Sequence, residues 1–349
     1  MKMYKQFLRD LTQKVAPSGQ EESVQQLYID YIKKYSDDLI KTRLGSVIAV
    51  KKGSSDLKIM LSGHADEITL MVSSIDSNGF IYFKEMGGFD AVLLPGMRVN
   101  IHHEGKTRTG VIGRCPKHLL HDESAVQIKN LWIDIAVSSR EEAFMHAEPG
   151  DIISWSGEFM ELTDDILVSK AFDNRVGVYT CARVIEELSK DDLYCSVYAA
   201  SNVQEEVGAR GAKTSAAYVE PDIAIAIDVT FAIDHPDTNI KETADIKLGK
   251  GPALTMGSRI NAKLFKHIKK IAEQNQIPYQ VEIYPRNTGT DLDAIHSEFK
   301  GSAGLLISIP CRYMHSPNEM VSFSDLENTV QLITAFIRSI KNTELLELF

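Results

Sequence analysis

The segment FDNRVGVYTCARVIEELSKDDLYCSVYAASNV, residues 172–203, decides the fold class. Its first part places apolar residues such as Val176 and Tyr179 at helical spacing, which is typical of an amphipathic helix. Its second part, YCSVYAASNV, is an apolar run of strand length. Further apolar runs at 221–230 and 302–310 alternate with helical segments. This alternation predicts an α/β fold with a mostly parallel sheet that helices cover on both faces.

Between this region and the amino terminus lies a block with a different pattern. Residues 69–165 contain short strand-like stretches and two hairpin patterns, with turns at Ser77–Gly79 and Glu104–Gly105. The block interrupts the α/β pattern instead of preceding it. We therefore predict a discontinuous α/β domain, residues 1–68 and 166–349, with residues 69–165 inserted as a small β-rich domain.

The first 35 residues have a helical pattern. Within them, Ser18 and Glu21 have the spacing of a capping box. Such a box would open the helical run VQQLYIDYIKKY.

The composition excludes several function classes. The 349 residues carry 38 Lys and Arg against 48 Asp and Glu, which gives a formal charge of −10. An acidic chain lacks the basic face that binds nucleic acid or anionic lipid, and no apolar run approaches the ~20 residues of a membrane span. We therefore expect no nucleic-acid partner and no membrane partner. The four cysteines form no CxxC pair and the start lacks a signal-peptide pattern, so we expect a cytoplasmic protein with reduced thiols.

Histidines and carboxylates follow the predicted strands, at the edge where open α/β sheets build their sites. They are His64 and Asp66 after residues 57–63, Glu205 and Glu206 after 194–203, Asp228 near the end of 221–230, His315 after 302–310, and Asp173 at the start of the following helix. Carboxylates brought so close would repel one another, and divalent cations remove the conflict. Imidazole nitrogen and carboxylate oxygen suit Zn²⁺, Co²⁺ or Mn²⁺, and the absence of cysteine from the set disfavours a structural thiolate site.

Each of these residues also has an ordinary structural interpretation. A single histidine is more often a packing residue, adjacent glutamates usually lie on a solvated loop, and an aspartate at a helix start often caps the helix. Their joint occurrence at successive strand ends favours a metal site. Nucleophilic catalysis is the weaker alternative, because the sequence has neither a GxSxG elbow nor a Cys/His signature. His102 and His103 are neighbours on a predicted strand, so they would point to opposite faces and could not share an ion.

Five motifs stand in order along the chain. They are SGHADEITLMV (62–72), SKAFDNRVG (169–177), SNVQEEVGARGA (201–212), IAIDVTFAIDHPD (225–237) and IPCRYMHSP (309–317). Together they resemble the TET-type glutamyl/leucyl aminopeptidases, cocatalytic dinuclear metallopeptidases of the cytosol. The resemblance spans essentially the whole chain.

The resemblance implies a role for each candidate residue. His64, Asp173 and Asp228 would hold one metal ion, and Asp173, Glu206 and His315 would hold the other, so that Asp173 bridges the two. Asp66 would hydrogen-bond and orient His64, and Glu205 would be the general base. The cofactors would be two divalent ions per subunit, with Zn²⁺ favoured and Co²⁺ or Mn²⁺ as alternatives.

The resemblance also implies an architecture and an activity. The α/β catalytic domain would be interrupted by a small β-barrel or PDZ-like domain that mediates dimerisation, and six dimers would form a tetrahedral homo-dodecamer. The enzyme would remove N-terminal residues from short peptides.

Two alternatives stay open. One is a related two-metal amidohydrolase, or deacylase, that acts on acylated amino acids. The other is a non-catalytic assembly protein on the same scaffold, although neither Glu205 nor a ligand is lost. The preferred N-terminal residue is not decided, but Arg259, Arg286 and Arg312 are candidates for binding an acidic one.

Overall fold

The computed structural model describes residues 2–119, 125–239 and 244–344. Within these residues the chain forms one large sheet flanked by helices and one closed β-barrel. The α-helices are α1 (Lys2–Gln13), α2 (Glu22–Ile32), α3 (Arg140–Phe144), α4 (Phe172–Leu188), α5 (Arg210–Val219), α6 (Ala262–Gln274), α7 (Asp291–Ile295) and α8 (Phe323–Ser339).

The strands divide between the sheet and the barrel. In chain order they are β1 (Asp38–Lys41), β2 (Val47–Lys51), β3 (Lys58–His64), β4 (Thr69–Ile75), β5 (Ile81–Met86), β6 (Arg98–His103), β7 (Lys106–Gly113), β8 (Trp132–Asp134), β9 (Ile152–Trp155), β10 (Met160–Glu161), β11 (Ile166–Ser169), β12 (Ser196–Asn202), β13 (Ile223–Phe231), β14 (Ala253–Gly257), β15 (Gln280–Tyr284), β16 (Ala303–Arg312) and β17 (Glu319–Ser322).

The large sheet has parallel strands at its centre and antiparallel strands at its sides. Its order is β1-β2-β12-β3-β13-β16-β17-β11-β10, and β14 pairs with both β15 and β16. The four neighbours β12, β3, β13 and β16 are parallel, and their registers align Ile223 with both Ile59 and Ala303. Their carboxyl ends therefore lie at one edge of the sheet, and the predicted mostly parallel sheet is confirmed.

Helices cover both faces of this sheet. A Cβ at Gly63 of β3 would lie 2.5 Å from the carbonyl carbon of Gly177 in α4. The preceding residue, Ser62, donates a hydrogen bond to Asp291 of α7 at 2.7 Å. Since successive residues of a strand point to opposite faces, α4 and α7 lie on opposite sides of the sheet. Helices α1, α2 and α8 contact α4, whereas α5 contacts α7. No helix in the described residues is long and apolar enough to cross a membrane.

The inserted β-barrel is also confirmed. Strands β4-β5-β8-β7-β6-β9 close on themselves, from Thr69 to Trp155, around their own apolar core. The chain enters this barrel directly after β3 and returns to the large sheet before α4. The strand Met160–Glu161 belongs to the sequence segment 69–165, yet it pairs with β11 in the large sheet.

One local prediction is wrong. Ser18 and Glu21 do not form a capping box, because α2 begins at Glu22 without a side-chain cap. The Ser18 hydroxyl instead donates to Asp66 at 2.7 Å. The Glu21 carboxylate accepts the backbone N–H groups of Gly19 and Gln204, at 2.7 and 3.0 Å. Both side chains therefore support the loops at the strand ends.

Candidate metal centre

The fold brings the seven candidate residues to the carboxyl edge of the parallel strands. His64 is the last residue of β3, and Glu205 and Glu206 follow β12. The others are Asp66 in the loop after β3, Asp173 as the second residue of α4, Asp228 inside β13, and His315 in the loop between β16 and β17. Helices bury both faces of the apolar strands. The edge where the strands end is therefore the part of the sheet that accommodates polar side chains.

Asp173 lies between the two histidines. Its Oδ1 is 3.1 Å from Nε2 of His64, and its Oδ2 is 3.2 Å from Nε2 of His315. Asn174, the next residue, donates its amide to the carbonyl of Ile227 at 2.8 Å. This bond fixes the start of α4 against β13, which carries Asp228.

The remaining carboxylates divide between the two sides of Asp173. On the His64 side, Nε2 is 3.7 Å from Oε2 of Glu205 and 4.0 Å from Oδ1 of Asp228. On the other side, Nε2 of His315 is 3.9 Å from Oε1 of Glu206. The donor atoms of His64, Asp173 and Glu206 all lie within 4.8 Å of one another, a spacing that could hold a metal ion.

Burial controls the charges of these carboxyl groups. It raises the pKa of Glu205 to about 8, although the positive charge of His64 acts to lower it. Burial and the negative charge of Asp173 raise the pKa values of Glu206 and Asp228 well above their usual range. Burial alone would also raise the pKa of Asp173, but hydrogen bonds with the two imidazoles hold it below its usual value. The buried carboxyls can all ionise together only when positive charge compensates them, and divalent cations supply such charge.

Asp66 supports the loop that carries the two glutamates. Its oxygens accept the backbone N–H groups of Glu205 and Glu206, at 3.0 and 3.1 Å. Its Oδ1 lies 3.4 Å from Nδ1 of His64, and that nitrogen has no hydrogen-bond partner among the described residues. Asp66 is thus adjacent to the far side of the His64 ring, on the side away from Asp173.

Two buried glutamates beside the centre, Glu67 and Glu319, are not predicted by the sequence patterns. Glu67 is fully buried and accepts hydrogen bonds from Lys170, at 2.6 and 2.9 Å, and from Arg175, at 3.3 Å. Glu319 accepts the backbone N–H groups of Asp173 and His315. Glu67 adjoins Asp66, and Glu319 follows His315 by four positions. Closeness in sequence to a candidate ligand is therefore the only feature of the sequence that could have indicated these two residues.

Two of the three arginines considered for substrate binding already have carboxylate partners. Arg312 binds both oxygens of Asp234, at 2.8 and 2.6 Å. Arg259 lies 2.9 Å from Asp293. Arg286 is exposed. Unlike the other two arginines, Arg286 forms no ion pair with a carboxylate in the described residues.

The barrel contains a second group of possible ligand atoms, from His103, Glu148 and Asp151. Nδ1 of His103 is already hydrogen-bonded to Asp151 at 2.8 Å, and Glu148 is exposed. His102 instead contacts Ser154 at 2.8 Å, as expected for a neighbour that points to the other face. We assign no metal to this group.

Comparison with known proteins identifies the family. The family model of the M42 glutamyl aminopeptidases matches residues 45–332. The chain is 33% identical over 342 residues to the lysyl aminopeptidase of Pyrococcus furiosus, covering 96% of this chain and 97% of that one. The crystal structure of a TET aminopeptidase from a marine sediment Thaumarchaeota archaeon is similar with a TM-score of 0.95, at 32% identity, over 99% of this chain and 98% of that chain.

A second similar solved structure is of a protein that assembles into a larger particle. The TET1 peptidase of Pyrococcus horikoshii, described as able to assemble into a tetrahedron or a large octahedral shell, has a TM-score of 0.85 at 32% identity. The match covers 97% of this chain and 100% of that chain. The chain therefore belongs to the M42 family of glutamyl aminopeptidases and is a hydrolase of the aminopeptidase class.

Proposed function

We propose that this chain is a dinuclear metalloaminopeptidase that removes N-terminal residues from short peptides. The observation that carries the proposal is the position of Asp173, whose two oxygens each lie 3.1 to 3.2 Å from a different imidazole nitrogen. A carboxylate in this position can bridge two cations. In the proposed assignment, His64, Asp173 and Asp228 hold one ion, and Asp173, Glu206 and His315 hold the other.

Two divalent ions at such a site, Zn²⁺ by preference or Co²⁺ or Mn²⁺, would polarise the scissile carbonyl and lower the pKa of a water molecule. Glu205 takes the proton from that water and returns it to the leaving amine. Burial raises the pKa of Glu205 to about 8. The positive charge of two bound ions would lower this pKa, which favours the deprotonated form that a general base needs. Asp66 holds the Glu205 backbone and adjoins His64, so it positions both residues.

The test is a substrate and metal panel. Aminoacyl-anilides with free amino groups and N-acetyl amino acids are assayed after chelation and after reloading with Zn²⁺, Co²⁺ or Mn²⁺. We expect hydrolysis of the free-amine substrates only, lost on chelation and restored by metal. Full activity after verified demetallation would refute the metal mechanism. Faster cleavage of the acetylated substrates would favour the deacylase alternative, and inactivity of the reloaded protein would favour the non-catalytic one.

We also propose a division into a catalytic part, residues 1–68 and 166–349, and an insert, residues 69–165, through which subunits associate. The insert carries exposed apolar side chains, among them Val92 and Met145, which are 64% and 65% exposed. Single exposed apolar side chains are ordinary on protein surfaces, but here they occur as adjacent pairs, because Leu93 and Phe144 are also exposed. Grouped exposed apolar side chains are typical of interaction surfaces. Together with the shells named for the similar TET1 peptidase, they support a homo-oligomer, with the tetrahedral dodecamer as the expected form.

A further inference from the structure

Glu319 connects two segments of the candidate metal centre that are far apart in sequence. It is the first residue of β17 and is 2% exposed. Its Oε2 accepts the backbone N–H of Asp173 at 3.0 Å, and its Oε1 accepts the backbone N–H of His315 at 2.9 Å. Each carboxylate oxygen thus holds the main chain of one of the two residues.

The position of Glu319 is itself fixed by the sheet. β17 pairs with β11 on one side, where Glu319 lies opposite Ser169, and with β16 on the other. Ser169 is the last residue of β11, shortly before Asp173. The carboxylate therefore projects from a paired strand, and not from a loop, towards both ligand-bearing segments.

The loop around His315 needs such support. His315 has a φ of +61° and Tyr313 has a φ of +59°, so both lie in the left-handed region that side chains disfavour. The His315 ring is also the most exposed of the candidate ligands, at 38%. Packing therefore holds this ring less than it holds the His64 ring. The hydrogen bond from the His315 backbone N–H to Glu319 fixes the main chain from which the ring projects.

We propose that Glu319 is a positioning residue that fixes Asp173 relative to His315 and so determines the affinity for the cation shared by these two residues and Glu206. The proposal rests on the proposed function, since it presupposes that these side chains bind a cation. Glu319 itself is not a ligand, because both of its oxygens are already engaged by backbone N–H groups. Residues that orient metal ligands typically change metal affinity by about 10- to 100-fold when they are replaced.

Glu319→Gln tests the role at nearly constant size. The glutamine oxygen can accept one N–H, but its amide group would present a donor to the other N–H, so one of the two bonds is lost. Glu319→Asp keeps the charge on a side chain one methylene shorter, so we expect it to retain one bond and to give a smaller effect.

The chain offers a matched control in Asp325. This buried carboxylate also accepts two backbone N–H groups, from Gly249 and Gly251, each at 2.7 Å, but it holds no candidate ligand. Asp325→Asn therefore makes the same chemical change away from the metal centre.

The experiment titrates the chelated full-length proteins with Co²⁺, following the visible d–d absorption and the bound metal. Thermal unfolding in chelator measures folding separately. We expect the wild type to bind two equivalents of Co²⁺, and we expect Asp325→Asn to bind two equivalents with the affinities of the wild type. In Glu319→Gln, the equivalent held by Asp173, Glu206 and His315 should bind about 10- to 100-fold more weakly with an altered spectrum. The other equivalent depends on Glu319 only through Asp173, so its affinity should fall by a smaller factor.

The outcomes separate the two proposals. A wild type that binds fewer than two cations contradicts the proposed dinuclear site and this inference with it. A wild type that binds two, with a folded Glu319→Gln of unchanged affinities and spectrum, overturns only the role of Glu319. The same loss of affinity in Asp325→Asn would also overturn it, because the effect would then be unspecific. If neither Glu319 variant folds, Glu319 is needed for the fold and the positioning role is wrong.

Discussion

At the residue scale, Glu205 and Glu206 show how two adjacent glutamates can differ in role. Both follow β12, and Asp66 accepts the backbone N–H of each. Their nearest imidazoles differ, since Glu205 lies 3.7 Å from His64 and Glu206 lies 3.9 Å from His315. The pair therefore faces both sides of Asp173, and variants at the two positions should have different consequences.

We predict that Glu205→Gln lowers kcat by about 10²- to 10⁴-fold, because the amide cannot accept the proton from water. The cation content should stay at the wild-type value, since Glu205 is not a proposed ligand. Steady-state hydrolysis of an aminoacyl-anilide and metal analysis of the purified protein check this. Glu206→Gln is the comparison, and it should lose cation as well as activity. A Glu205→Gln enzyme that keeps wild-type kcat would contradict its role as the base.

Glu67, Lys170 and Arg175 form a buried ionic group beside the centre, each no more than 3% exposed. We predict that Glu67→Gln lowers the free energy of unfolding by about 3–5 kcal/mol, because two cations would remain buried with a weakened partner. Denaturant unfolding of chelated protein measures the change. Lys33→Gln, which removes the exposed pair with Asp30, should leave stability unchanged within error. Equal effects of the two changes would show that burial does not matter here.

The sequence predicts the candidate metal ligands but not the residues that bind and position them. His64, Asp173 and His315 could be predicted because imidazoles and carboxylates at parallel strand ends indicate a metal site. Glu319 and Glu67 could not, because a carboxylate that binds backbone N–H groups or buried cations has no residue pattern of its own. For the same reason, the spacing of Glu21 from Ser18 predicts a helix cap, whereas the Glu21 carboxylate accepts the backbone N–H of Gln204.

At the element scale, β3, α4 and β13 approach one another almost at backbone contact. A Cβ at Gly63 would lie 2.5 Å from the Gly177 carbonyl carbon, and a Cβ at Gly177 would lie 2.6 Å from the Ile227 carbonyl oxygen. The start of α4, which carries Asp173, can therefore sit against the ends of both strands.

We predict that Gly63→Ala lowers the free energy of unfolding by about 1–3 kcal/mol, because the methyl group must push α4 away from β3. The displacement should also lower activity, since Asp173 moves with α4. Denaturant unfolding and anilide hydrolysis measure the two effects. Gly88→Ala is the stability control, because its Cβ would have no neighbour closer than 3.8 Å. Wild-type stability of Gly63→Ala would show that the contact is not as tight as the geometry indicates.

The elements themselves were predictable to different degrees. The amphipathic α4, the apolar strands and the two hairpins of the barrel follow from hydrophobic periodicity and turn residues. Helix α5 gives little periodic signal, because its buried positions are mostly small residues such as Ala212 and Ala216. Asp228 was expected near the end of its strand, and β13 continues to Phe231. Pairing partners such as β17 with β11 depend on tertiary contacts that no local pattern encodes.

At the scale of the whole molecule, exposed apolar side chains on the insert support the proposal that subunits associate through it. Val92 and Leu93 are adjacent and are 64% and 44% exposed. We predict that the double change Val92→Asp and Leu93→Asp yields smaller particles, because it places charge in an apolar contact. Light scattering coupled to size exclusion measures the mass. The exposed Tyr218→Asp serves as the control on the catalytic part, and an unchanged mass for the insert variant would contradict the proposal.

The buried carboxyls also couple the stability of the whole molecule to pH. Burial raises the pKa of Glu205 to about 8 and that of Glu21 to about 7, above the value of about 4.3 in an unfolded chain. Each group therefore binds its proton more tightly in the folded state. Its stabilising contribution is complete below about pH 4.3 and is lost as pH rises through the folded pKa.

We therefore predict that the Tm of chelated protein falls as pH rises from 5 to 8, whereas the stabilisation by Zn²⁺ increases over the same range. The cation binds only deprotonated ligands, so protons compete with it less as pH rises. Thermal unfolding with chelator and with Zn²⁺, at several pH values, measures the difference in Tm. His315→Ala lacks a proposed ligand and should reduce that difference at every pH. A difference in Tm that stays constant or shrinks with rising pH would show that the buried carboxyls are not what the cation binds.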